Sequence, residues 1–139
     1  MRISSLTGAA FILLAQAPAI ASELYDAAIA DNVGAVQVLL AAGADVAEQG
    51  ELGTPLHAAA VQGDRMIADL LIAKGADIEA VKEGSNTRSL HQAASFGNAD
   101  VVVLLLEKGA KVDVRNDLGS TPLLEAVQGR HTRVAMGAS

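Results

Sequence analysis

The chain has 139 residues, of which 51% are hydrophobic and only 2% aromatic, so its core must consist of Ala, Val, Leu and Ile in thin layers of closely packed helices. The formal net charge is −6 and the ten basic residues are scattered, which makes nucleic acid a poor partner. There is no cysteine, and this excludes a disulfide framework, a thiol nucleophile and a thiolate metal site.

The first segment has the features of an export signal. Arg2 precedes an apolar stretch at residues 9–15, and residues 19–21 are small, as a signal peptidase requires. Gln16 and Pro18 interrupt the apolar run short of the roughly 18 residues that a membrane span needs. We therefore predict a signal peptide at residues 1–21, a mature chain that begins at Ser22, and no membrane span after cleavage.

The composition of the mature chain indicates where it works. Cleavage leaves nine basic and sixteen acidic residues, a formal charge of −7. The segment before the cleavage site is rich in Ala, and none of the four asparagines begins a glycosylation motif. We therefore expect a bacterial protein that is periplasmic or secreted.

Two markers recur in phase along the rest of the chain. GAD at residues 43–45 returns at 75–77 and, as GAK, at 109–111, with spacings of 32 and 34 residues. TPLH at residues 54–57 returns as RSLH at 88–91 and as TPLL at 121–124. The chain is therefore an internal repeat with a period of about 33 residues.

Each repeat predicts two helices. Thr54 can cap a helix that begins at Pro55 and ends at Gly63, where a left-handed conformation is easy. A second helix ends before Gly75, and its buried stripe is Ile67, Leu70 and Leu71. The stripe returns in the neighbouring repeats as Val36, Leu39 and Leu40 and as Val101, Leu104 and Leu105. One repeat cannot bury such a stripe alone, so stacking must fold the chain.

TPLHAAAVQG at residues 54–63, followed by DLLIAKGADI at 69–78, resembles the ankyrin repeat. The resemblance implies an all-α solenoid of stacked helix-turn-helix units with β-turn fingers. Its units run over residues 22–47, 48–80, 81–114 and 115–139, and the last is incomplete. The resemblance also implies that His57 and His91 make structural hydrogen bonds across the turn.

The departures from the repeat carry their own expectations. The first unit has Ser22 and Glu23 in place of Thr-Pro, which predicts an acidic helix start suited to an N-terminal cap. In the third unit Arg88 and Ser89 replace Thr-Pro, so Ser89 or Thr87 would have to cap the helix, and its finger is longer. The second helix of the fourth unit offers little apolar surface, so the end either frays or is covered by something else.

No motif for catalysis is present: the chain lacks HExxH, GxSxG, GxxxxGK and GxGxxG. We therefore predict no catalytic, cofactor-binding or metal-binding residue. Asp64, Asp69 and Glu79 are interpreted as a solvated face, and His131 as a solvated residue of a polar tail.

The ankyrin resemblance implies protein binding through the finger tips and the exposed side of the first helices. An exposed Phe96 would anchor a partner, although packing on the next unit is an equal alternative. Leu52 and Leu118 at equivalent finger tips favour contact over core. Acidic Glu51, Glu83 and Asp117 predict a partner with a basic patch. The predicted protein-binding residues are Glu51, Leu52, Val61, Gln62, Ser85, Thr87, Ser95, Phe96, Asp117 and Leu118.

These features predict an adaptor or protective subunit of the bacterial envelope. An inhibitor or immunity protein against a toxic enzyme is the alternative within the same class. An enzyme is a third reading, and it would need a deep pocket that holds a perturbed acid or histidine pair.

Overall fold

The computed structural model describes residues 17–128, with side chains from residue 23 onward. This part of the chain is all α-helix apart from turns and two isolated β-bridges. The helices are α1 (Ala17–Ile29), α2 (Val33–Ala41), α3 (Pro55–Gln62), α4 (Arg65–Ala73), α5 (Ser89–Ser95), α6 (Ala99–Glu107) and α7 (Pro122–Gln128).

The helices stack as a two-layer solenoid. One layer is formed by α1, α3, α5 and α7, in which each helix contacts the next, and the other is formed by α2, α4 and α6. Each unit contributes one helix to each layer, joined by a short turn, and α7 belongs to the fourth unit. The predicted all-α solenoid is confirmed.

The boundaries of α3 follow the sequence signals. The Thr54 hydroxyl accepts a hydrogen bond from the backbone N–H of His57, Pro55 occupies the first turn, and Gly63 ends the helix with φ of 79°. The predicted cap, start and end of this helix are therefore confirmed.

The start of α5 differs from the prediction. Arg88 occupies the N-cap position, and neither Ser89 nor Thr87 caps the helix. The backbone N–H of Arg88 instead donates to His91 Nδ1 at 3.1 Å. The Ser89 hydroxyl is buried without a hydrogen-bond partner in the described structure.

The start of α1 also differs. The chain is already helical at Ala17 and continues through Ser22, so Glu23 lies inside the helix and not at its beginning. The expected acidic helix start at Ser22 is therefore wrong for this uncleaved chain. Residues 1–16 of the predicted signal peptide lie outside the described residues, and the peptide remains a prediction.

The core runs the length of the stack through equivalent positions of successive units. Leu24, Leu56 and Leu90 are buried on the first helices. The predicted stripe is buried on α6, and on α4 Leu70 is only half-buried. On α2 Val36 and Leu40 are buried, whereas Leu39 is half-buried.

Three turns project from the stack as fingers. The first finger (residues 50–53) closes through Gly50 N–H and Gly53 C=O at 2.7 Å, and the second finger (residues 81–88) through Lys82 N–H and Thr87 C=O at 2.8 Å. The third finger (residues 116–120) follows α6. The second is the longest, as its sequence spacing predicts. Residues 129–139, with His131 and the predicted weak C-terminus, lie outside the described residues.

Candidate protein-binding surface

An open cleft of about 380 Å³ lies between the second and third fingers, where α5 and α7 begin. Its lining is mostly polar, with one apolar residue at the edge. Of the predicted protein-binding residues, Ser85, Thr87, Asp117 and Leu118 come together here. The lining residues that the prediction did not include are Lys82, His91, Gln92, Asn116 and Glu125.

The third finger holds Leu118 in water. The Asn116 side-chain oxygen accepts hydrogen bonds from the backbone N–H groups of Leu118 and Ser120, both at 3.0 Å. Gly119 completes the turn with φ of 78°. Because this network fixes the backbone, the Leu118 side chain stays 87% exposed. A large apolar side chain in that position contributes little to folding.

Side chains tie the fingers into one row. The Gln49 amide donates to the Val81 carbonyl at 3.1 Å and accepts from the Glu83 backbone N–H at 3.0 Å. The Glu79 carboxylate accepts from the backbone N–H of Lys111 at 2.8 Å, which joins the next pair of units. These bonds between units fix the spacing of the fingers.

His57 supports the second finger from below. Its Nδ1 accepts from the Thr54 backbone N–H at 3.1 Å, so Nε2 carries the proton and donates to the Thr87 carbonyl at 3.0 Å. Burial lowers the pKa of His57, which keeps the ring neutral. The structural hydrogen bond predicted for His57 is present.

His91 repeats the arrangement and borders the cleft. Its Nδ1 accepts from Arg88 N–H, and its Nε2 lies 3.1 Å from the carbonyl oxygens of both Val114 and Ser120. Burial lowers the pKa of this ring as well. Because both nitrogens are engaged, His91 is a structural residue and not an acid or base available to the cleft.

Tyr25 replaces the histidine in the first unit, a role that the sequence analysis missed. Its hydroxyl accepts from the Leu52 backbone N–H at 2.8 Å, and burial raises the pKa of the phenol. Gly50 lies against the ring with no space for a side chain. The signal was available, because Tyr25 lies 32 residues before His57 in the repeat.

Leu52 and Leu118 are not equivalent in the structure. Leu52 is partly buried and packs against the hydrophobic core, whereas Leu118 projects into solvent. The shorter first finger folds back on Tyr25, and this draws Leu52 inward. The interpretation of Leu52 as a contact residue without a folding role is therefore wrong.

The helices extend the surface beyond the cleft. Phe96 follows α5 one turn after Gln92, which lines the cleft, so both residues lie on one side of the helix. Phe96 is 53% exposed, which favours the anchor over the packing alternative. Ser95 is half-buried.

The predicted residues of the second unit lie outside the cleft. Glu51 and Gln62 are exposed, and Val61 is half-buried. The Val61 carbonyl accepts a hydrogen bond from the Asn98 side chain at 2.8 Å, which ties α3 to the following unit. The structure thus divides the predicted set into a group at the cleft and a second group along α3 and the first finger.

The three carboxylates interpreted as a solvated face have distinct structural roles. Asp64 caps α4 by accepting from the Ile67 backbone N–H at 3.1 Å. Glu79 is half-buried and pairs with Arg88 at 3.1 Å. Only Asp69 fits that interpretation, since it is exposed and lies 3.9 Å from Lys108.

Two further searches covered the described residues. No group of three or more His, Asp or Glu side chains among them is arranged to hold a metal ion. Within the same residues, no helix has the length and apolar character to cross a membrane.

Two comparisons place the chain among known proteins. A family model described as "Ankyrin repeats (many copies)" matches at residues 24–72, 56–106 and 90–135. "Ankyrin repeat and SOCS box protein 5" of Oryctolagus cuniculus and of Bos taurus is 44% identical over 63 residues, and that of Homo sapiens 43%. These matches cover 45% of this chain and 19% of each relative. The relatives are mammalian, and the expected export from a bacterium finds no support in them.

Proposed function

Because the chain belongs to the ankyrin-repeat family, we propose that its interaction surface for a partner protein is the cleft between the second and third fingers together with α5. Ankyrin repeats are protein-interaction modules, and binding here would use a row of fingers on a rigid stack. The observation that carries the proposal is the exposed Leu118, held by the Asn116 network at the edge of the cleft.

The chemistry of the surface suggests what it binds. Leu118 and Phe96 offer apolar contacts on either side of polar groups. Asp117 and Glu125 line the cleft, and neither forms a salt bridge with a described residue. A partner segment that combines an apolar side chain with a basic one satisfies both features.

The pair Phe96→Ser and Leu118→Ser tests this surface. We expect the double variant to lose at least tenfold in affinity for its partner, measured by calorimetry. The free energy of unfolding should stay within about 1 kcal/mol, because both side chains are exposed. Leu52→Ser is the matched control: it lies in the core margin and should lower stability while partner binding at the cleft is retained. Unchanged affinity in the double variant would contradict the proposal.

The setting is a separate proposal. We infer from the first 21 residues that the protein is exported to the bacterial periplasm, where it acts as an adaptor or protective subunit, with an inhibitor of a toxic enzyme as the alternative. Mass analysis of the exported protein should find Ser22 as the first residue. A membrane-bound protein that retains Met1 would contradict export by cleavage.

A further inference from the structure

The first unit leaves uncovered a face that the other units bury. Ala35 and Leu39 lie 32 residues before Ile67 and Leu71, at equivalent positions. Ile67 and Leu71 are fully buried, whereas Ala35 and Leu39 are half-buried, and Val38 between them is 65% exposed. The second unit differs in having a described unit stacked before it. This face of a unit is therefore the one that receives its predecessor.

The opposite end of the described stack leaves the complementary face uncovered. Leu123 and Val127 on α7 are equivalent to Leu90 and Ala94 on α5, which are buried. On α7 the two side chains are 38% and 56% exposed, although Ala126 on the same helix is fully buried. The side of α7 that faces α5 is packed, and the side that would face a following unit is open.

The uncovered N-terminal face forms a groove of about 450 Å³ between α1 and α2. Ala27, Ala35, Val38 and Leu39 give it an apolar floor. Glu23 and Asp26 add negative charge along α1. At the other end of the chain, the sequence after α7 carries Arg130 and Arg133. The two ends therefore differ in charge sign and share an apolar character.

We propose that this N-terminal stacking groove binds the α7 end of a second copy, through Leu123 and Val127, so that copies associate head to tail. The contact would continue the interface that already joins successive units, and it is heterologous, so each copy keeps one free groove and one free end. Because the fingers take no part, association is compatible with partner binding and would place several clefts in one line. Few side chains are uncovered, so the dissociation constant should be weak, on the order of 0.1 mM.

Analytical ultracentrifugation of the full chain at increasing concentration, with two variants, tests the proposal. Val38→Asp blocks the groove and Val127→Asp blocks the other end, so each variant alone should remain a monomer where the parent associates. An equimolar mixture of the two should form a dimer and nothing larger, because it contains one intact groove and one intact end per pair. Val103→Asp is the control. That residue is exposed on α6, as are Gln37 and Asp69 at equivalent positions, and it should associate like the parent.

Several results would overturn the proposal. A parent chain that stays monomeric up to about 1 mM would do so, given the affinity expected for so small a contact. Association of Val127→Asp alone would indicate groove-to-groove contact, and association that neither variant affects would indicate another surface, such as residues 9–15. Circular dichroism confirms that each variant is folded, and Val38→Ser and Val127→Ser replace any that is not.

Discussion

Asp31 is the non-glycine residue with positive φ, 60°, in the described part of the chain, and it occupies the position that Gly63 and Gly97 hold in the next units. Its side chain also meets a like charge. A hydrogen bond with Asp64, together with smaller effects of burial and of the Asp64 charge, raises the pKa of Asp31. The residue is therefore strained in its backbone and opposed in its charge at neutral pH.

Asp31→Gly should raise the free energy of unfolding by about 0.5–1 kcal/mol, because glycine adopts the left-handed conformation without a Cβ penalty and removes the carboxylate. Urea unfolding at pH 7 measures the change. Asp31→Ala separates the two causes, since it removes the charge and keeps the Cβ, and it should be less stable than the glycine variant. A glycine variant less stable than the parent would show that Asp31 makes a net favourable contact.

The two buried histidines predict a pH dependence of stability. Burial lowers the pKa of His57 and of His91 in the folded chain below the value of about 6.5 of the unfolded chain. As the pH falls below about 6.5, the unfolded chain binds protons first. Stability is therefore full above that pH and is lost as the pH falls toward the folded-state pKa values.

Urea unfolding at pH 7.5 and 5.5 should give a lower free energy at the lower pH. His57→Gln should be less stable than the parent at pH 7.5, because it disrupts a buried hydrogen-bonded position, and it should lose less on acidification. The difference in slope isolates the histidine from the carboxylates that both proteins share. Equal slopes in the two proteins would contradict the assigned titration of His57.

At the scale of the element, α5 starts less favourably than α3 and α7. Ser89 stands where those helices have Pro55 and Pro122, its hydroxyl is buried without a partner in the described structure, and Arg88 before it is extended with ψ of 168°. A proline is compatible with that geometry, since the first-turn N–H has no helical partner. Ser89→Pro should therefore stabilise the protein by about 0.5–1 kcal/mol.

The expected increase in Tm for Ser89→Pro is roughly 3–5 °C. Thermal unfolding followed by circular dichroism measures it, beside Ser89→Ala, which removes the hydroxyl without restricting φ. A proline variant with a lower Tm than the alanine variant would mean that the ring does not fit at this buried position.

The sequence predicts much of each element and less of what happens between elements. Thr54, Pro55 and Gly63 act within one helix, so local rules predicted its start and end. The inward turn of Leu52 depends on Tyr25, 27 residues away, and the pairing of Asp31 with Asp64 depends on how two units stack. Contacts of this kind follow from geometry that a single repeat does not contain.

At the scale of the whole molecule, the stack presents one row of fingers and two uncovered ends. Repetition at about 33 residues was sufficient to predict the solenoid, because each unit can bury its apolar stripe only against a neighbour. It was not sufficient to locate the cleft. Gln92 and Glu125 line it at the position of the buried Ala58, and only an alignment of the units in register would have indicated these two.

The central claim is that a partner protein binds at the cleft and α5. The most direct measurement is affinity capture from extracts of the source organism with three immobilised proteins: the parent, the Phe96→Ser and Leu118→Ser double variant, and a Met66→Ser and Val103→Ser double variant. Met66 and Val103 are exposed apolar residues on the second helices, outside the cleft. The account predicts that one protein is captured by the parent and by the second-helix variant and is lost from the cleft variant. Capture that survives in the cleft variant and disappears in the second-helix variant would contradict it.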